Sequence, residues 1–223
     1  MSSHHFVKDG QEPALILANG AVCAQKILSE LLEWCPFVLV VDGALQTALD
    51  KGIAFNAVSG DFDSETSPHQ KLQHLPHVEI IETPDQDYTD LHKAVMICME
   101  RGYKTVHVLW ATGLRTDHTI GNLDLIVRLK EEVSLCFWDD FHKIYHAPNG
   151  FKKWYKQGTD ISLLPWPMAK KVNAKNLKWP LEKMDLRMSF QLSTCNKIAQ
   201  NGFLEINYEE GDLLMMEGSF GED

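Results

Sequence analysis

The sequence has few basic residues, and this limits the classes of partner that the protein can bind. Lys and Arg total 21 against 31 Asp and Glu, which gives a formal net charge of -10. Binding to nucleic acid through the phosphate backbone requires clustered Lys and Arg, so we expect no nucleic-acid partner. An anionic substrate would need a metal ion or a local basic group to enter a site on this chain.

Long apolar runs and paired cysteines are also missing. No apolar stretch approaches the ~18 residues of a membrane span, and residues 1–10 lack the apolar core of a signal peptide. The five cysteines form an odd set without CxxC spacing, which favours reduced thiols over a disulfide framework. We therefore expect a soluble, cytoplasmic protein that does not enter a membrane.

The first part of the chain alternates between short apolar strands and helical periodicity. Residues 14–18 and 37–41 are continuously apolar, which is typical of parallel strands covered on both faces. The segment 89–101 has one apolar face and is followed by Gly102, as expected of an amphipathic helix and its end. The pattern predicts an α/β domain over residues 1–145 with a mostly parallel, doubly wound (Rossmann-like) sheet.

After about residue 140 the pattern changes to short β-prone segments. Turn signals at residues 157–158, 201–202 and 210–212 separate these segments. Residues 203–208 alternate as a half-buried strand would. The pattern predicts an all-β sandwich domain over residues 146–223.

Carboxylates follow two of the predicted strands. Asp61 and Asp63 come after the strand at 57–59, and three further aspartates lie in residues 85–90, after the strand at 78–81. The carboxyl ends of parallel strands line the ligand crevice, where clustered carboxylates are costly unless a hard cation neutralises them. Mg²⁺ takes oxygen ligands and bridges substrate phosphates. The alternative is solvated aspartates that form turns and helix N-caps; two acidic pairs at equivalent loops favour the metal.

The second acidic loop leads directly into the predicted helix at 89–101. Asp87 or Thr89 is placed to cap its first turn. Free N–H groups and the helix dipole at that end favour a phosphate group. Metal and phosphate are thus predicted at the same edge of the sheet.

The sequence contains six motifs that can be compared with known families. The four in the first domain are Val41-Asp42-Gly43-Ala44, Gly60-Asp61-Phe62-Asp63-Ser64, Asp85-Gln86-Asp87-Tyr88-Thr89-Asp90 and Thr112-Gly113-Leu114-Arg115-Thr116-Asp117-His118. The two in the second domain are Leu177-Lys178-Trp179-Pro180-Leu181 and Ser193-Thr194-Cys195-Asn196. In this order and over nearly the whole chain, they resemble the motifs of the thiamin pyrophosphokinase family.

The resemblance implies a Mg²⁺-dependent enzyme that transfers the diphosphoryl group of ATP to the hydroxyl of thiamin. The products would be thiamin diphosphate and AMP. It also implies a homodimer in which the second domain of one subunit serves the first domain of the other.

The resemblance assigns a role to each matched residue. The implied metal ligands are Asp61, Asp63 and Asp90, which with Arg115 and Asp117 form the implied catalytic set. The implied nucleotide-binding residues are Asp42, Gln86, Thr89, Arg115, Asp117 and His118, and the implied thiamin-binding residues are Trp179, Ser193 and Asn196.

Plainer interpretations stay open for some of these residues. Arg115 and Asp117 could pair at a helix start, Trp179 could be a core aromatic, and His118 could be structural. The chain also departs from the family pattern at residues 44–46, at Leu114, where glycine is common, and at Cys195, where serine is common. The metal carboxylates are all present.

Three other functions remain to be separated from the implied one. The first is an ATP-dependent phosphotransferase acting on another small alcohol. The second is a non-catalytic protein that binds thiamin or a nucleotide. The third is a hydrolase that releases phosphate to water, because metal–carboxylate loops serve that chemistry too.

Overall fold

A computed structural model describes residues 12–62 and 68–218 of the chain. Contacts divide these residues into two compact units. The first comprises the described residues up to Asn122 together with residues 131–135, and the second comprises residues 123–130 and those from Cys136 onward. The predicted domain boundary between residues 145 and 146 stays a prediction.

The first unit contains a parallel sheet in the order β4-β3-β2-β1-β5. Its strands are β1 (Ala14–Leu17), β2 (Phe37–Val41), β3 (Ala57–Gly60), β4 (Glu79–Glu82) and β5 (Thr105–Leu109). Every residue of β1, β2 and β3 is buried, as their continuous apolar composition predicts. The strand order reverses direction between β1 and β5, so a topological switch point lies there. The predicted parallel, doubly wound sheet is confirmed.

Helical segments connect these strands. They are α1 (Gln25–Trp34), a 3-10 turn (Asp42–Ala44), α2 (Leu45–Asp50), α3 (Pro68–Lys71), α4 (Asp90–Glu100) and α5 (Thr116–Arg128). The Thr89 Oγ1 atom accepts a hydrogen bond from His92 N at 3.3 Å, so Thr89 caps α4. Within the two described ranges, no helix is long and apolar enough to cross a membrane.

The second unit is rich in antiparallel β structure. After β6 (Ser134–Trp138), which begins in the first unit, its strands are β7 (His142–His146), β8 (Phe151–Tyr155), β9 (Asp160–Lys175), β10 (Leu181–Arg187), β11 (Ser193–Lys197), β12 (Gly202–Asn207) and β13 (Glu210–Gly218). The long strand β9 pairs with β10, β11, β12 and β13. Leu204 and Ile206 of β12 are fully buried, which confirms the alternation predicted for residues 203–208 and the β-rich second domain.

A largely buried carboxylate connects three strands of this unit. Glu217 accepts hydrogen bonds from Tyr145 Oη at 2.8 Å, Tyr155 Oη at 2.9 Å and Lys153 Nζ at 2.8 Å. Burial alone would raise the Glu217 pKa, but the Lys153 charge and these hydrogen bonds outweigh it and hold that pKa below its usual 4.5. Glu217 is therefore a fixed anion at the centre of a satisfied polar cluster.

Candidate active site

A cleft of about 620 Å³ lies in the first unit. It is lined by loops that follow the carboxyl ends of the parallel strands, on both sides of the switch point between β1 and β5. This is the position at which open α/β sheets bind their ligands. Of the residues implied by the motifs, the cleft is lined by Asp61, Gln86, Thr89, Asp90, Arg115 and His118.

Two of these loops are joined by backbone hydrogen bonds. Gly20 N donates to Trp110 O at 2.6 Å, and Ala21 N donates to Thr112 O at 2.8 Å. Gly113 has a φ of +86°, and a Cβ atom there would lie 2.4 Å from the Cβ of Ala21. Only glycine combines that backbone conformation with so close an approach, so this wall of the cleft is fixed by sequence.

Asp42 lies close enough to two other carboxylates for their charges to shift its pKa. Asp42 begins the 3-10 turn after β2, Asp61 follows β3, and Asp90 begins α4. Burial raises the pKa of Asp42 above its ordinary 3.8, Lys71 opposes that rise, and the charges of Asp61 and Asp90 add to it. The three carboxylates thus concentrate negative charge at this end of the sheet.

Asp61 and Asp90, two of the three implied metal ligands, both line the cleft. Asp63 lies outside the described residues. No group of three or more His, Cys, Asp or Glu within residues 12–62 and 68–218 is arranged to hold a metal ion by itself. Mg²⁺ commonly takes one or two protein carboxylates and completes its shell with water and substrate phosphates, so Asp61 and Asp90 fit such a site.

Gln86 and Thr89 lie in the loop that precedes α4. Gln86 Nε2 donates to Asp61 Oδ2 at 3.3 Å, which joins the two acidic motifs directly. Asp87 N donates to Asp85 Oδ1 at 2.7 Å and forms the turn between them. The motif thus presents Asp90 and the capped N-terminus of α4 to the same cleft.

Arg115 and Asp117 form a bidentate ion pair at the start of α5. Arg115 Nε and a terminal guanidinium nitrogen donate to the two Asp117 oxygens at 3.1 and 2.6 Å. The Arg115 hydrogen bonds, and a further one from His118 N, lower the Asp117 pKa to about 2. Asp117 is therefore ionised at neutral pH and forms a charged pair with Arg115. The pairing that the sequence left open is present, and both side chains are mostly exposed.

Among the polar residues of the cleft, Asn19, Lys93 and Asn122 were given no role from sequence. Asn19 follows β1, Lys93 lies in α4, and Asn122 lies in α5 and donates from Nδ2 to Ala111 O at 2.8 Å. Asn122 is four residues after His118, so helical spacing could have placed both on one face. Asn19 could have been found by its position after a buried strand.

The implied thiamin-binding residues lie together in the second unit. The Trp179 ring is about half exposed, with Lys178 Nζ 4.7 Å from its centroid. Asn196 is buried, and it accepts a hydrogen bond from Trp179 N at 3.1 Å and donates to Trp179 O at 2.7 Å. Asn196 Nδ2 also donates to Ser193 Oγ at 3.4 Å. Asn196 thus holds the backbone of Trp179 and, through it, the position of the exposed ring.

The first unit thus has an acidic cleft at the carboxyl ends of its parallel strands, next to the N-terminus of α4. The second unit is β-rich and exposes the ring of Trp179. The model of the thiamin pyrophosphokinase catalytic domain matches residues 28–137, and that of the thiamin pyrophosphokinase vitamin B1 binding domain matches residues 142–213. Together they match most of the chain, and the chain belongs to the thiamin pyrophosphokinase family.

Individual relatives agree with this assignment. Thiamin pyrophosphokinase 1 of Caenorhabditis elegans is 26% identical over 214 residues, covering 86% of this chain and 84% of the relative. Thiamine pyrophosphokinase of Bacillus subtilis is 25% identical over 182 residues, covering 79% and 84%. The crystal structure of thiamine pyrophosphokinase from Bacillus subtilis superposes with a TM-score of 0.76 at 22% identity, covering 92% of this chain and 98% of that one, which supports the fold.

Proposed function

We propose that this chain is a thiamin diphosphokinase, an enzyme that transfers the diphosphoryl group of ATP to thiamin. The observation that carries the proposal is the presence, in one chain, of both domains of the family, with an acidic cleft at the switch point of the first. The reaction places the enzyme in thiamin diphosphate biosynthesis. We expect it to act in the cytoplasm.

In the proposed reaction the hydroxyl oxygen of thiamin attacks the β-phosphorus of ATP. The bond from that phosphorus to the oxygen bridging the α- and β-phosphates breaks, AMP leaves with that oxygen, and the hydroxyl proton is released. Catalysis of such transfers depends mainly on positioning and charge stabilisation. The proposed roles of the residues follow from that requirement.

The carboxylates of the cleft would hold the metal. Asp61 and Asp90, with Asp63, are proposed to bind Mg²⁺, which when bound would neutralise phosphate charge. Asp42 adds negative charge beside them, and Gln86 holds Asp61 at 3.3 Å. A bound cation would offset the negative charge that these carboxylates place together.

The remaining cleft residues are proposed to hold the nucleotide. Arg115 presents a planar guanidinium that can donate two hydrogen bonds to phosphate oxygens, and Asp117 orients it through their bidentate pair. Thr89 caps the helix whose N-terminus faces the cleft, and His118 lines it. Trp179 is proposed to stack on the cationic thiamin rings, and Ser193 and Asn196 are proposed to complete the thiamin-binding site. We also propose that the chain forms a homodimer.

The proposal is tested by supplying purified protein with ATP, Mg²⁺ and a panel of small alcohols that includes thiamin. Conversion of thiamin, and of no other alcohol in the panel, supports the proposed function. Conversion of another alcohol in preference to thiamin points to a different phosphotransferase. Thiamin binding without turnover points to a binding protein, and phosphate release without an acceptor points to a hydrolase.

A further inference from the structure

Lys93 is a buried lysine whose contacts all lie within one loop and one helical turn. Its side chain is 8% exposed. Its Nζ atom is 2.9 Å from Thr83 O, 3.0 Å from Asp85 O and 2.9 Å from Asp90 Oδ1. The two carbonyls accept hydrogen bonds from the ammonium group, and the Asp90 carboxylate forms an ion pair with it.

The contacts join the two ends of residues 83–90, which we term the acidic loop. Thr83 is the first residue after β4, and Asp90 is the first residue of α4. A buried ammonium is costly unless it is paired, and here two backbone carbonyls and one carboxylate lie against it. The loop can therefore keep this geometry only while both carbonyls and the carboxylate face the same nitrogen.

We propose that Lys93 is a positioning residue that fixes the acidic loop and aims the Asp90 carboxylate into the cleft. The proposal rests on the proposed function only for its effect on the reaction. Both hydrogen bonds of Lys93 go to carbonyls of the acidic loop and its ion pair goes to Asp90, so Lys93 acts through Asp90 and the loop. Lys93 also lines the cleft, so the competing interpretation is direct contact with substrate.

The test replaces Lys93 with methionine, which keeps the unbranched apolar stem and removes the three donors. The control is Lys170→Met, which removes an exposed lysine paired with Glu210 at 2.6 Å in the second unit. Amide hydrogen exchange is measured on each protein without substrates. Turnover is then measured with ATP, Mg²⁺ and thiamin.

In Lys93→Met, amide exchange is expected to accelerate at least fivefold in residues 83–90 and to stay unchanged in β1 and β2. The kcat is expected to fall at least twentyfold, with the KM for thiamin within twofold of the unaltered chain. Lys170→Met is expected to change neither the amide exchange of residues 83–90 nor the kcat. Loss of activity with unchanged loop exchange would overturn the proposal in favour of direct substrate contact. Unchanged exchange and activity would overturn it outright.

If Lys93→Met does not fold, Lys93→Arg takes its place. Arg keeps the charge, but its planar guanidinium does not reproduce the contacts of a compact ammonium. Faster loop exchange and a lower kcat are expected together, and either one without the other would contradict the proposal. If the unaltered chain makes no thiamin diphosphate, the proposed function fails, while the exchange measurement still decides whether Lys93 fixes the loop.

Discussion

Gly60 and Asp42 lie so close together that a Cβ atom added to Gly60 would be 2.4 Å from the Cβ of Asp42. Gly60 is the last residue of β3, and Asp42 follows the neighbouring strand β2. The missing side chain at residue 60 is therefore what allows Asp42 to lie against the end of β3, where the first acidic motif begins.

Gly60→Ala is expected to displace Asp42 and impair the enzyme. The new methyl group meets an atom next to the backbone, so overpacking is expected to reduce the free energy of unfolding by about 1–3 kcal/mol. The rate of thiamin diphosphate formation is expected to fall at least tenfold. Chemical denaturation and a product assay measure the two effects.

The control for this substitution is Gly121→Ala. Gly121 lies in α5, and a Cβ atom there meets nothing within 4 Å. It is expected to stabilise the protein by about 0.5–1 kcal/mol through helix propensity and to leave activity unchanged. Equal activity of the two variants would contradict the role given to the Gly60–Asp42 contact.

Asp61→Asn and Asp63→Asn are expected to abolish AMP formation while the fold is retained. Each substitution removes a proposed metal-binding charge without changing side-chain size. Circular dichroism checks the fold, and binding of Mn²⁺ by paramagnetic relaxation checks the metal independently of turnover. Asp50→Asn is the matched control, since Asp50 is exposed and its carboxylate accepts a hydrogen bond from Gln46 Nε2 at 2.9 Å. Full activity in both active-site variants would remove the metal assignment.

Asn196→Ala is expected to release the Trp179 segment. The buried amide of Asn196 bonds both backbone groups of Trp179, and leaving such groups unpaired costs about 1–3 kcal/mol. We expect the KM for thiamin to rise about tenfold, because the ring is no longer held in place. Asn201→Ala, which removes an exposed acceptor for Gln157 N, is expected to leave that KM unchanged. The same KM in both variants would argue against the positioning of Trp179 by Asn196.

Glu217→Gln is expected to destabilise the protein in a pH-dependent way. The folded pKa of Glu217 is below its usual 4.5, so its ionised form contributes stability above that pH and loses the contribution as pH falls through the folded value. At pH 7 the variant is expected to lose about 2–3 kcal/mol, because Lys153 keeps its charge without its partner.

Denaturation of Glu217→Gln and of the unaltered chain at pH 7 and pH 3 tests this sign. The difference in the free energy of unfolding between the two proteins is expected to be smaller at pH 3 than at pH 7. Glu210→Gln, at an exposed pair with Lys170, is expected to cost only about 0–1 kcal/mol. If the destabilisation caused by Glu217→Gln instead grew as the pH fell, the stabilising role of the ionised Glu217 would be contradicted.

The sequence predicted β1 and β2 well because both are continuously apolar, as strands covered on both faces are. Residues 37–41 were predicted and observed as the same strand, and Thr89 was predicted as one of two possible caps of α4. The acidic motifs were placed at the cleft because strand ends of a parallel sheet share one edge. These inferences need only local pattern and one rule of topology.

Other features depend on tertiary contacts that no local pattern reveals. A lysine three residues after Asp90 looks like a solvated helix residue, and Lys93 is buried only because the acidic loop folds over it. Asn196 and Ser193 both face inward because β11 is irregular between them, with Cys195 at a φ of +56°. A regular strand would have put residues three apart on opposite faces.

The most direct test of the account is a mass-resolved assay of purified protein with ATP, Mg²⁺ and thiamin, run beside controls with EDTA and without thiamin. The account predicts thiamin diphosphate and AMP in equal amounts, and neither product when EDTA is present. Thiamin monophosphate with ADP would contradict diphosphoryl transfer, and no product from thiamin would contradict the assignment of this chain as an active thiamin diphosphokinase.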